Sequence, residues 1–199
     1  MQDNDWVVLE ELDYTRKGVK FTFFLFFIIV IAVGVRLGDN LGNFYIVMTY
    51  LAYFLLLEIP IHEMFHKLGG QLFLKVDSEI NLKFPILNKM FRINLSQEGE
   101  KPTHPYCKPK EMLSLGGKII YALSPFLSFL LIWGSLIIIT NGEKGIFFFA
   151  LTVSIASCNG DFWAVCFSIK NKLKYKNQYK QIKFEDKGDS LAIRGKKGM

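Results

Sequence analysis

Ile59-Pro60-Ile61-His62-Glu63-Met64-Phe65-His66-Lys67 closes a long apolar run and sets two histidines and a glutamate on little more than one helical turn. Positions i and i+4 of a helix share a face, so the imidazoles of His62 and His66 can converge on one ion. Glu63 sits beside them, within reach of a water at that ion. This is the H-E-x-x-H arrangement, whose mechanics suit zinc-dependent peptide hydrolysis. The chain has three histidines, and two of them fall here.

The surrounding composition places this motif in a membrane. The chain has 199 residues, 51% of them apolar, with 19 Phe. The apolar residues collect in four runs, at residues 19–35, 44–65, 119–140 and 146–169, with the charges between them. About 20 residues at 1.5 Å rise span a bilayer, so each run comes close to that length or exceeds it. The expected fold is therefore an all-α membrane protein with about four transmembrane helices. A cleaved signal peptide is the other reading of the first run. Preceding acidic residues, a late start and the lack of a small-residue cleavage site weigh against it.

The basic residues give the orientation. Arg16, Lys17 and Lys20 precede or open the first run, nine Lys or Arg lie in residues 67–118, and ten lie from Lys170 onward. The two short connections hold only Arg36 and Lys144. With four spans, both termini and the long loop then share one side, which the positive-inside rule makes cytoplasmic. The expected location is a multi-pass protein of the cell membrane with cytoplasmic termini. The net charge of +6 comes from these segments. No nucleic-acid recognition motif accompanies them, so anionic lipid is the expected partner of the basic tail. Cys107, Cys158 and Cys166 form no disulfide framework.

Residues 1–170 read as one domain, and residues 171–199 as a basic, disordered cytoplasmic tail. The acidic lead around Trp6 suggests a brief interfacial helix. In the long loop, residues 72–76, 79–84 and 90–95 show strand-like content, so a small β-element is expected at the membrane surface. An open edge there could pair with an extended substrate.

Zinc needs a third protein ligand and an open position for water. Asp161 is the acidic residue of the fourth run. A carboxylate in hydrocarbon costs roughly 2.5–3.5 kcal/mol at the bilayer centre unless something offsets it, and a divalent cation does so. Ser154, Cys158 and Asp161 fall at i, i+4 and i+7, a polar stripe expected to face the bundle interior. The competing reading makes Asp161 a packing acid paired with a lysine or serine. Glu63 is the expected general base. Glu58, one turn before His62, either orients His62 through its free ring N–H or sits against Tyr50 or Tyr53. His104 and Cys107 are rival ligands in a proline-rich segment that reads better as a plain loop. Gly116-Gly117 and Ser124-Pro125 suggest close helix approach and a local kink.

Taken together, H-E-x-x-H in a span, Cys107-Lys108-Pro109 in a long loop, Leu123-Ser124-Pro125, and Gly160-Asp161 in the last span resemble the zincin-peptidase family of small bacterial membrane proteins. The resemblance covers residues 50–161. More distantly the layout is similar to site-2 proteases, the intramembrane zinc metalloproteases. It implies His62, His66 and Asp161 as metal ligands, Glu63 as catalyst, Zn2+ as cofactor, and a peptide or membrane protein as substrate. Met64-Phe65 and the order Gly160-Asp161 depart from the site-2 pattern, which has a small residue and glycine in the first place and glycine after the aspartate in the second. A non-catalytic membrane protein that retains the metal site, such as a transporter accessory or immunity-type factor, is the alternative function. A metal-ion transporter lacks the polar path it needs, because the first and third runs are almost free of ionisable residues.

Overall fold

A computed structural model describes residues 6–14, 24, 25, 28, 32, 58–81, 106–141, 145–188 and 190–197. The element order among them is β1 (Trp6–Asp13), α1 (Ile59–Gly69), a π-helical turn (Gly70–Leu74), β2 (Ser78–Asn81), β3 (Tyr106–Pro109), α2 (Leu115–Ile139), α3 (Gly145–Ser157), α4 (Asn159–Tyr175), β4 (Gln181–Asp186) and β5 (Ser190–Lys196). The all-α expectation is therefore corrected. Four α-helices are joined by two antiparallel sheets, one ordered β1-β5-β4 and one pairing β2 with β3.

The span count changes as well. Among the described residues, α2 is the one helix long and apolar enough to cross a bilayer. The fourth run is broken: α3 and α4 meet at a 44° bend and pass the same test only as a pair. The first run, apart from helical positions at Phe24, Leu25, Ile28 and Ala32, and the second run before Glu58 lie outside the described residues. The expected strand at residues 90–95 also lies outside them.

Local chemistry accounts for the helix boundaries. Pro60 occupies the first turn of α1, where a missing N–H costs nothing. Helix α1 runs past the apolar segment and passes into the π-helical turn, which ends at Lys75 in a left-handed conformation (φ 55°). Residues 72–76 are thus mostly helical rather than strand. Ser114 caps α2, its hydroxyl accepting from the Gly117 N–H at 3.2 Å. The break after α3 falls in Ser157-Cys158-Asn159-Gly160, a run of weak helix formers. The predicted polar stripe is consequently split: Ser154 accepts from Trp133 Nε1 at 3.0 Å, while Asp161 sits in the first turn of α4.

The expected disordered tail is the second correction. Helix α4 continues to Tyr175, and β4 and β5 form a hairpin whose Ile182, Phe184, Leu191 and Ile193 are buried with Ala164 of α4. Alternation puts Ile182 and Phe184 on one face. Strand β1 completes this sheet, Trp6 pairing with Lys196 and Asp13 with Ser190, with a bulge between Val8 and Glu10. The expected interfacial helix at Trp6 is thus a strand, because long-range pairing outweighs local preference. Lys174 and Tyr175 bond the Glu10 carboxylate and hold it below its usual pKa. The sheet is fastened to α2 by a buried ion pair, Lys118 Nζ to Asp186 at 2.8 Å, and by a bridge between Leu113 and Phe184.

Helix α1 crosses α2 at Gly69. A Cβ placed there would stand 2.4 Å from the Ser124 Cβ. The crossing is therefore closed to any side chain, and it is this approach that brings His66 to α2. Gly69→Ala is expected to destabilise the detergent-purified chain by about 1–3 kcal/mol, as overpacked cores do. Gly69→Ala combined with Ser124→Gly should recover part of that loss. Thermal melts of the two variants and wild type check it, and equal melting of Gly69→Ala and wild type would contradict it.

Candidate metal centre

The site is built by three helices from distant parts of the chain. Helix α1 supplies His62, Glu63 and His66, all buried among apolar neighbours. Helix α4 supplies Asp161, and α2 forms the wall. His66 stacks on the Tyr121 ring, with centroids 5.1 Å apart and planes 14° apart. His62 stacks on Phe129 at 6.3 Å. These contacts fix the planes of both imidazoles.

Ring nitrogens then set the direction of the lone pairs. His66 Nδ1 lies 2.8 Å from the backbone carbonyl of Tyr121. A carbonyl only accepts, so Nδ1 carries the proton and Nε2 is left to face the site. Nε2 of His66 is 3.2 Å from Asp161 Oδ1, and Nε2 of His62 is 3.1 Å from Asp161 Oδ2. One ligand atom from each residue lies within 4.8 Å of the other two. Ligands held tetrahedrally at about 2.0–2.1 Å from zinc stand about 3.3–3.4 Å apart, so the two nitrogen–oxygen spacings are those of a coordination edge. Asp161 Oδ2 is buried without an aligned hydrogen bond among the described residues, although a ring nitrogen is near. Donors that crowd together without bonding one another suit a shared cation. The His62/His66/Asp161 cluster could hold a metal ion.

The carboxylate has a second source of support. Asp161 lies at the third position of α4, where unpaired backbone N–H groups give the helix start a partial positive charge. The bend at Cys158 places that helix start at the imidazoles. A continuous helix through residues 145–175 would have put mid-helix backbone there instead.

Glu63, next to His62 in sequence, is nine-tenths buried, and its carboxylate lies near the Cys107 backbone on β3. Strand β3 pairs with β2 through Ile80↔Cys107 and Ser78↔Pro109, and Lys110 N–H bonds the Asp77 carbonyl at 3.0 Å. In that register Lys108 and Lys110 pair toward β2, so the Cys107 N–H points to the opposite edge. The small sheet of the long loop therefore turns a free edge toward Glu63.

The other candidates resolve differently. Cys107 stands outside the ligand cluster: its thiol accepts from the Tyr121 hydroxyl at 3.0 Å, and burial pushes it up to about 11. His104 lies outside the described residues, as do Tyr50 and Tyr53. Glu58 is wholly buried one turn before His62. The contacts seen at His62 Nδ1 are Ser157 Oγ at 3.4 Å and Cys158 Sγ at 3.8 Å. Ser157 and the Tyr121 carbonyl are the site groups that sequence reasoning missed. Ser157 carried no signal of its own, whereas Tyr121 precedes a helix-internal proline by four residues and could have been found that way. Gly117 lies in the first turn of α2 near Ser114, and the close approach is made by Gly69.

Compared with protein-family models, curated proteins and solved structures, the chain matches none.

Asp161→Asn is expected to lower metal affinity at least about 100-fold, since loss of outer-sphere partners alone costs about 10–100-fold. Ser157→Ala should cost about 10-fold. Competition titration of the full-length chain against a chelator of known affinity gives both values, and an Asp161→Asn affinity equal to wild type would remove Asp161 from the site.

Proposed function

We propose that this protein is a membrane-embedded zinc metallopeptidase that hydrolyses peptide bonds of peptides or membrane proteins near the cytoplasmic face. The observation that carries the reading is the convergence of His62, His66 and Asp161 on one point with a buried glutamate, Glu63, beside them. Two imidazoles and one carboxylate form a donor set of the kind that catalytic zinc uses, with a fourth position left for water or substrate. The resemblance to zincin peptidases and, more distantly, to site-2 proteases points the same way.

Bound in this cluster, zinc would act as a Lewis acid that acidifies water and polarises a peptide carbonyl. The remaining work falls to the chain. His62, His66 and Asp161 hold the ion. Glu63 takes a proton from the attacking water and returns it to the departing amine. Burial by Tyr121 and Phe129 keeps bulk water from the cluster, which strengthens each electrostatic contact there.

Several features support a membrane setting. Only 22% of the most apolar window of α2 is buried within the protein, so its Leu131, Ile138 and Ile139 face outward. A core helix of a water-soluble protein would be mostly covered. Leu72 and Phe73 project beyond α1, with Lys67 and Lys75 on either side, as interfacial anchors do. Pairing of β1 with β5 puts the two ends of the described chain together, in keeping with termini on one side. The basic residues make that side cytoplasmic.

Glu63→Gln separates catalysis from metal holding. The variant should keep wild-type zinc, measured by elemental analysis of the detergent-purified chain, and lose at least about 100-fold in turnover of an internally quenched peptide library. A His62→Ala, His66→Ala variant should lose the metal. Zinc retained by a wild-type chain that cleaves neither the peptides nor reconstituted membrane-protein substrates would favour the non-catalytic alternative. Equal, negligible zinc in wild type and the histidine variant would end the reading.

A further inference from the structure

Pro125 stands inside α2, ten residues from its start, where a proline is costly. Its cost has a definite location. In an α-helix the N–H of residue i+4 bonds the carbonyl of residue i, so the carbonyl that Pro125 leaves without its helical partner is that of Tyr121. The Tyr121 carbonyl is the one that accepts His66 Nδ1–H at 2.8 Å. The Ser124 hydroxyl shares that acceptor: it donates within 2.8 Å of the Tyr121 carbonyl and also stands 3.0 Å from the Phe65 carbonyl of α1. Gly69, without a side chain, lets the two helices approach closely enough for the His66 bond to form.

We propose that Pro125 is a positioning residue for the metal site: by withholding an N–H from the Tyr121 carbonyl it leaves the helical place on that carbonyl open to His66, and so fixes both the tautomer and the ring direction of a metal ligand. The inference rests on the reading of His66 as a ligand. A metal-binding imidazole presents one nitrogen to the ion and donates its other N–H to a fixed acceptor, usually a carboxylate, carbonyl or water. Inside a bundle of apolar helices, a carbonyl released from its helical N–H is the stronger and better exposed acceptor for such a donor. Proline releases one at a chosen place. The bond runs between α1 and α2, and α2 is also where Lys118 is latched to the terminal sheet. The orientation of His66 is therefore set by a helix that supplies no ligand itself.

The test restores the missing donor. Pro125→Ala places an N–H opposite the Tyr121 carbonyl and, alanine being the better helix former, should leave α2 intact by circular dichroism. Histidine-selective 15N labelling of the full-length chain gives three imidazoles to follow. In wild type the His66 Nδ1 proton should resonate far downfield, as a carbonyl-bound N–H does. In Pro125→Ala that proton should move upfield or be lost to exchange, and affinity for added Zn2+ should fall about 10–100-fold. Replacing residue 125 by lactic acid, which carries alanine's methyl group on an ester linkage without N–H, should return both readouts toward wild type. Wild-type resonance and affinity in Pro125→Ala would overturn the proposal. So would an ester form as impaired as the alanine form. If the wild-type chain binds no zinc, the metal reading falls, yet the imidazole proton still reports whether Pro125 holds His66.

Discussion

A carboxylate buried between two imidazoles inside a group of apolar helices is the constraint on which the rest of this structure turns. Removing such a charge from water costs several kcal/mol even after the surroundings relax, and that cost must be offset locally. The chain offsets it in three ways. Both ring nitrogens face Asp161. Asp161 stands in the first turn of α4, at the positive end of the helix dipole. The three ligand atoms have a spacing that suits a cation, and Asp161 Oδ2 has no aligned hydrogen bond among the described residues. The larger features of the fold serve this meeting. The bend at Cys158 presents a helix start rather than a helix middle, and the bare crossing at Gly69 brings α1 against α2.

The cluster of His62, His66 and Asp161, which could hold a metal ion, was legible because each member carried a local signal. His62 and His66 are paired by spacing, and Asp161 stood out as an acid in an apolar run. The third apolar run likewise became α2, within a few residues of its expected bounds. The sheets were hidden for a different reason. Strand β1 owes its conformation to a partner nearly two hundred positions away, and nothing near Trp6 announces that partner. The hairpin of β4 and β5 was readable: Ile182 and Phe184 alternate with polar residues, and Gly188, at φ 89°, supplies the turn. The lysines of that segment masked the pattern, because composition was weighed ahead of period. The break of the fourth run was also present, in Ser157 to Gly160, but hydropathy averages across such a gap.

The small β2–β3 sheet acquires a purpose from its placement. On the proposed reading Glu63 accepts a proton from water, and a glutamate does this best where its surroundings are fixed. The Cys107 backbone of β3 lies close to its carboxylate. The Tyr121 hydroxyl, bonded to the Cys107 thiol and 3.3 Å from Ser78, ties the same strand pair to α2. Tyr121 thus touches the site twice, through its carbonyl at His66 and through its phenol at the strand beside Glu63.

The pairing of β1 with β5 has a consequence for how the molecule is made. During synthesis β1 precedes the four described helices and gains its strand partner only when β5 follows them. The sheet, and with it the latch from Asp186 to Lys118, closes only at that late moment. A nascent chain halted after α4 would already hold its imidazoles and its aspartate, but not the clasp that steadies α2 behind them. The support behind the centre is in this way completed by the synthesis of β5 and not by the helices alone.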